Sequence, residues 1–185
     1  TDAAQVQKAA DTILEALETA KRPVIMLGHG VDSSASQREL IQFARKRQIP
    51  IITSVLAKSV LGYEHPLNFG CIGGAYGHRY ANMIANAKSD LLLCFGISLC
   101  TRQIGTKVHE FAKGAKIIRV DIDSCNLQRD IHENGANEVK LQAETGAVID
   151  CLSRAAVQKP DEYREWLNVC NEIKENLQAV DDQTP

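Results

Sequence analysis

The chain has 185 residues, 44% of them hydrophobic and 24% charged, the proportions of a soluble globular domain with room for a substantial core. Its 21 basic and 23 acidic residues give a formal net charge of −2, and no Lys/Arg run occurs, which argues against a nucleic-acid or membrane surface. The longest apolar run, Leu91 to Phe95, is too short to cross a bilayer, and the first residues read as a polar helix, not a secretory signal.

Six cysteines stand at 71, 94, 100, 125, 151 and 170. None forms a Cys-x-x-Cys pair or completes a zinc pattern with histidine. Reduced thiols in a cytoplasmic protein are therefore expected. Cys94 and Cys151 lie in apolar surroundings and read as core. Cys100 alone sits where a ligand could reach it, without the neighbours that would activate a nucleophile.

In chain order, Ala3 to Thr19 places Val6, Ala10, Ile13, Leu14 and Leu17 on one helical face. Pro23 to Leu27 reads as a strand, ended by the tight turn Gly28-His29-Gly30. Ser34 or Ser36 is expected to cap the next helix, Ser36-x-x-Glu39 fitting a capping box. That helix buries Leu40, Ile41, Phe43 and Ala44. Ile49 to Thr53 is a second, β-branched strand. Ser54 to Gly77 reads as a long glycine-containing loop, a length usually tied to function. His78 to Ala87 predicts a helix with Tyr80, Met83 and Ile84 inward.

Leu91 to Phe95 and Lys116 to Asp123 are two apolar strands ending in Gly96 and in acidic residues, with a short helix from Thr106 to Ala112 between them. Asn137 to Leu141 is a last, weak strand. Glu144 to Ala156 follows as a helix burying Val148, Ile149 and Leu152. After a linker from Val157 to Pro160, Asp161 to Ala179 is amphipathic, with Tyr163, Trp166, Leu167, Cys170, Ile173 and Leu177 at helical spacing.

This alternation predicts an α/β fold of three layers, doubly wound, with a mainly parallel sheet of five to six strands. The strands ending at Gly28 and Gly96 are the expected central pair, with a topological switch point between their carboxyl ends. Ligand-facing candidates there are Gly28, His29, Gly30, Gly96, Arg102 and Asp121. Ser33 replaces the third glycine of a dinucleotide fingerprint. Arg102 could pair with a phosphate or be a solvated loop arginine. Asp121 could hold a ribose hydroxyl, while Asp123 reads better as a turn cap. The histidines at 29, 65, 78, 109 and 132 show no metal-pair spacing and no nucleophile elbow.

Five segments in order carry a resemblance. They are Lys21 to Gly30, Ile49 to Thr53, Tyr80-Ala81-Asn82, Ser89 to Gly96 and Ala115 to Asp123. Together they resemble the central domain of thiamine-diphosphate-dependent enzymes, above all the acetolactate synthase group, over about residues 3 to 155. The resemblance implies a Rossmann-like, deoxyhypusine-synthase-like NAD/FAD-binding fold in residues 1–156. It also implies a linker and connector helix in 157–185 leading toward a third domain. In that family, flanking domains hold thiamine diphosphate and Mg²⁺ and form homodimers or homotetramers. No Gly-Asp-Gly occurs in this chain, so it reads as a central domain without catalysis of its own. The implied parent is a transferase or lyase acting on 2-oxo acids.

The group's central domain holds FAD, and other members hold ADP or nothing. Matching positions are Gly28 and Gly30, Gly77, Gly96, Arg102, Asp121 and Ile122. Departures are Ser98 for an arginine, Cys100 and Thr101 for two aspartates, and Tyr76 for a histidine. They place an empty or ADP-type site ahead of FAD. Two other readings stay open. One is a stand-alone NAD-dependent enzyme with His29 or Lys58 as its catalytic group; the other is a flavin electron-transfer module.

Overall fold

The structure is a computed structural model and describes residues 2–31, 34–74, 76–156 and 161–181. Six strands form one sheet, all parallel: β1 (Pro23–Leu27), β2 (Ile51–Thr53), β3 (Asn68–Cys71), β4 (Leu91–Phe95), β5 (Lys116–Asp121) and β6 (Glu138–Gln142). Their spatial order is β3-β2-β1-β4-β5-β6, so the chain runs out to one edge and then returns to build the other half. The expected central pair is present: β1 and β4 run side by side with Leu27 opposite Phe95. Every residue of both strands is buried, as continuous apolar runs in a two-sided sheet require.

Helices cover both faces. On one, α1 (Ala3–Thr19) and α2 (Ser34–Arg47) pack against α6 (Thr145–Arg154). On the other, α3 (Arg79–Met83) packs against α7 (Arg164–Asp181). The Asp90 carboxylate accepts the backbone N–H groups of Lys21 and Arg22, both at 2.8 Å, tying the start of β1 to the start of β4. Tyr163, Trp166, Leu167 and Cys170 join the same core as the strands. Burial of an aliphatic or aromatic side chain of this size contributes about 1.5–3 kcal/mol. Among the described residues, no helix is long and apolar enough to cross a membrane.

Several expectations need correction. The stretch read as one loop from Ser54 to Gly77 contains the edge strand β3 and a 3₁₀ turn at Val55–Ala57. β3 is short, carries Gly70 at φ +72° and pairs with β2 across a register shift, so it lacks a strand's apolar signature. β2 starts at Ile51, not Ile49, because Gln48 at φ 62° ends α2 and the Ile49 N–H donates back to the Ala44 carbonyl. α2 includes Ser34, so Ser36 lies inside the helix and the capping box is not its start.

The helix expected from His78 to Ala87 divides into α3 and a π-type turn, Ile84–Lys88. Tyr80 and Ile84 are buried, whereas Met83 is 39% exposed. Between β4 and β5 the expected helix reduces to a 3₁₀ turn, Val108–Glu110, and an unforeseen helix α4 (Thr101–Ile104) precedes it. A second unforeseen helix, α5 (Ser124–Gln128), follows β5. Ser33 and the linker 157–160 lie outside the described residues.

Candidate functional site

The two glycine turns meet backbone to backbone at the seam between β1 and β4. The Gly28 N–H donates to the Phe95 carbonyl (2.9 Å), the Gly30 N–H to the Gly96 carbonyl (3.0 Å), and the Gly96 N–H to the Val120 carbonyl (2.9 Å). These bonds continue the ladders past the strand ends. A Cβ on Gly28 would stand 1.9 Å from the Gly96 oxygen, and one on Gly30 would stand 2.8 Å from the Gly96 Cα. Gly96 itself has φ +55°. Close backbone approach explains all three glycines.

A crevice of about 230 Å³ opens at this seam, lined by Gly28, His29, Gly30, Gly96, Asp121 and Asn126 among others. The Asp121 carboxylate is buried at the end of β5. Its Oδ1 accepts the Asp123 N–H (2.9 Å) and its Oδ2 accepts Asn126 Nδ2–H (3.3 Å). Asp121 thus shapes the turn into α5 and still has free acceptor capacity. Asp123 caps α5 by accepting the Cys125 N–H at 2.8 Å, as its turn reading anticipated.

Five of the eight candidates therefore share one crevice: Gly28, His29, Gly30, Gly96 and Asp121. Ile122 does not line it and is 61% exposed beside it. Gly77 sits in the loop after β3, where a Cβ would stand 2.3 Å from both the nitrogen and the oxygen of Gly73. The Asn82 side chain pins that loop through the Gly73 N–H (3.1 Å) and carbonyl (2.8 Å). The Gly74 N–H donates to the Arg102 carbonyl at 3.3 Å, so the loop rests on α4. The Arg102 side chain is exposed on α4. Its neighbour Gln103 lines the crevice.

Cys100 caps α4 and its own N–H donates to Gln103 Oε1 at 3.0 Å. All six cysteines are free thiols, and burial pushes the Cys94 thiol up to about 12. His29 and Lys58 are not brought together: Lys58 lines a separate pocket at the ends of β2 and β3.

The residues that sequence reasoning missed lie beneath the crevice. Arg119 is fully buried in the middle of β5. Its Nη1 donates to the Arg129 carbonyl (2.7 Å) and to Glu138 Oε1 (2.8 Å), and its Nη2 donates to the carbonyl of Asn126. Glu138 Oε2 accepts the Ile131 N–H at 2.9 Å. Arg129 donates to the carbonyls of Ser98 and Leu99. One network thus braces α5 on one side and the loop after β4 on the other. Its signal was an arginine within Ile-Ile-Arg-Val, since a charge inside a buried strand needs a partner.

The family described as thiamine pyrophosphate enzyme, central domain, matches residues 10–152. A probable acetolactate synthase large subunit of Methanocaldococcus jannaschii is 30% identical over 171 residues, covering 92% of this chain and 27% of the relative. Acetolactate synthase isozyme 1 large subunit of Escherichia coli K12 is 41% identical over 112 residues, 60% of this chain and 19% of the relative. Glyoxylate carboligase of E. coli O157:H7 is 27% identical over 178 residues, 94% of this chain and 28% of the relative. The chain spans about a quarter of the length of such relatives. With a six-stranded doubly wound sheet and a family match over residues 10–152, this chain belongs to the central-domain family of thiamine pyrophosphate enzymes.

Proposed function

We propose that this chain is the middle domain of a longer, cytoplasmic thiamine-diphosphate enzyme of the acetolactate synthase type, acting on 2-oxo acids. Residues 1–156 form the domain, and 157–185 lead as a connector toward a further domain. Thiamine diphosphate and Mg²⁺ are held by the flanking domains in a homodimer or homotetramer. Bound there, thiamine diphosphate would supply the electron sink for making or breaking the carbon–carbon bond to the substrate's carbonyl carbon. The middle domain supplies architecture and a nucleotide crevice, and no catalysis by itself.

The observation that carries the nucleotide reading is the packing of Gly28 and Gly30 onto Gly96, with Asp121 at the floor of a switch-point crevice. Asp121 has acceptor capacity for a ribose hydroxyl, and Arg102 supplies a cation for a diphosphate. Pockets for drug-sized ligands run to roughly 300–1,000 Å³. The crevice, at about 230 Å³, falls below that range. The Ser98 carbonyl is engaged by Arg129, and Cys100 is engaged in capping α4. ADP therefore fits these residues better than FAD does.

Two measurements test this. The full reading frame, supplied with thiamine diphosphate and Mg²⁺, should decarboxylate or ligate pyruvate or a related 2-oxo acid. Inactivity across a panel of such acids would sink the enzymatic reading. Calorimetric titration should show ADP binding that Arg102→Ala weakens by about tenfold, the worth of one charge-assisted hydrogen bond. Tight FAD binding with a flavin absorbance band, or ADP binding indifferent to Arg102, would overturn the nucleotide assignment.

A further inference from the structure

A second pocket lies on the same carboxyl edge of the sheet, beside the ends of β2 and β3, where α7 contributes Lys174. Its volume is about 330 Å³, at the small end of the ~300–1,000 Å³ range of ligand pockets. Lys58, Leu61, Tyr63, His78, Tyr80 and Lys174 line it. The loop that carries Ser54 and Leu56 on the crevice side carries Lys58 on this side, so the two cavities are separate.

The charged groups lining this cavity are the ammoniums of Lys58 and Lys174, beside the neutral polar side chains of Thr53, Ser59 and Asn68. Lys174 extends from α7, and its ammonium donates to the Asn68 carbonyl at 3.0 Å. It stands 5.8, 5.6 and 5.8 Å from the ring centres of Tyr63, Phe69 and Tyr80. An ammonium has three donors, so two remain. Lys58, an exposed residue, lines the same pocket. His78 Nδ1 accepts the Cys71 N–H at 3.0 Å, so in the neutral ring the hydrogen resides on Nε2 and the imidazole is a donor as well. Cys71, 3.6 Å from the same Nδ1, contributes no negative charge, because burial pushes its thiol pKa up. Among the described residues the lining contains no carboxylate, and the acidic group acting on Lys174 is Glu64, outside it. Leu61, Tyr63 and Tyr80 supply apolar surface to the lining, which Thr53, Ser59, Asn68 and Gly70 complete.

Two ammonium groups and an imidazole donor around a small apolar chamber select a compact ligand with one anionic head. Burial of the Lys174 ammonium lowers its pKa, a cost that a bound anion would offset. We propose that this pocket is a second ligand site that binds a small monocarboxylate with a ring-shaped or branched apolar body. The carboxylate lies between Lys58 and Lys174, and the body lies against Leu61, Tyr63 and Tyr80. Because Lys174 belongs to α7 and Lys58 to the sheet side, an occupied pocket also fastens α7 to the domain.

The probe is 4-fluorobenzoate, followed by fluorine NMR line broadening on the intact protein that carries this chain. The neutral isostere 4-fluorobenzamide serves as its control. Benzoate should bind about tenfold more tightly than benzamide, the worth of a charge-assisted hydrogen bond. Lys174→Met and Lys58→Met should each weaken benzoate by a similar factor. Lys58 is exposed, so its variant keeps the assay decisive even if the Lys174 variant fails to fold. Excess ADP should leave the benzoate signal in place. Equal binding of the two probes, broadening unchanged in the Lys58→Met protein, displacement by ADP or no binding at all would each overturn the proposal.

Discussion

Arg119 Nη1 and Glu138 Oε1 lie 2.8 Å apart, and their side chains are 1% and 0% exposed. The pair bridges β5 and β6 in the interior, and Arg119 Nε is buried with no hydrogen-bond partner among the described residues. Removing one partner of such a pair leaves an uncompensated buried charge. Arg119→Met and Glu138→Gln should therefore each cost about 3–5 kcal/mol. Removing both charges should cost less than the sum of the two, because neither charge is then stranded. A double-mutant cycle in urea reads this directly, and additivity of the two single losses would contradict it.

The glycine seam predicts a graded series. Gly28→Ala places a methyl group 1.9 Å from a backbone oxygen that cannot swing aside, so this variant should fail to fold or lose several kcal/mol. Gly30→Ala meets Gly96 Cα at 2.8 Å and should be milder. Gly62 has nothing within 4 Å of its hypothetical Cβ. Gly62→Ala should be neutral or stabilising by about 0.4–1 kcal/mol, through the unfolded chain. Denaturation midpoints of the three variants should fall in that order, and an equal loss for all would refute the packing argument.

Alkaline pH should destabilise the fold. Burial raises the pKa of Cys71, Cys94, Cys170 and Tyr163, so the folded chain keeps protons that the unfolded chain releases from about pH 9 upward. Wherever the unfolded state binds fewer protons, stability falls as pH rises. For Cys94 the loss runs from its ordinary 9.0 to about 12. Lys174 acts in the opposite sense: its folded pKa is lowered, so it adds stability as pH climbs toward its ordinary 10.5. Four acids oppose one base, and the urea midpoint should drop between about pH 9 and pH 11. Cys170→Ala should flatten the drop and Lys174→Met should steepen it.

The sheet was legible because its four long helices and three central strands carry unbroken apolar runs of the right period. Pro23 to Leu27 and Leu91 to Phe95 read as strands and are strands; Lys116 to Asp123 read as one and is a strand as far as Asp121, with Asp123 capping α5. The switch point followed from where those runs stop, at Gly28 and Gly96. β3 was not legible, since Asn-Phe-Gly-Cys has two apolar inward residues and a glycine in a left-handed conformation. Nor were α4 and α5, which span four and five residues and are set by their caps, Cys100 and Asp123. The hidden part of the site is the Arg119 network. Its partners Asn126, Arg129 and Glu138 are brought to β5 by the turn into α5 and by the next strand.

α7 comes last in the chain but attaches to its beginning. Trp166 Nε1–H donates to the Pro23 carbonyl (2.9 Å), Tyr163 O–H to the Leu17 carbonyl (2.6 Å), and Lys174 to the Asn68 carbonyl (3.0 Å). Tyr163→Phe should cost about 0.5–1.5 kcal/mol, the net worth of one such bond. Measured by hydrogen exchange, that loss should appear first in β1 and the end of α1, and not in the neighbouring α6. A ribosome releasing this chain in order therefore completes β4–β6 and α6 while the earlier-made half still waits for its cover. The half synthesised first is the half finished last.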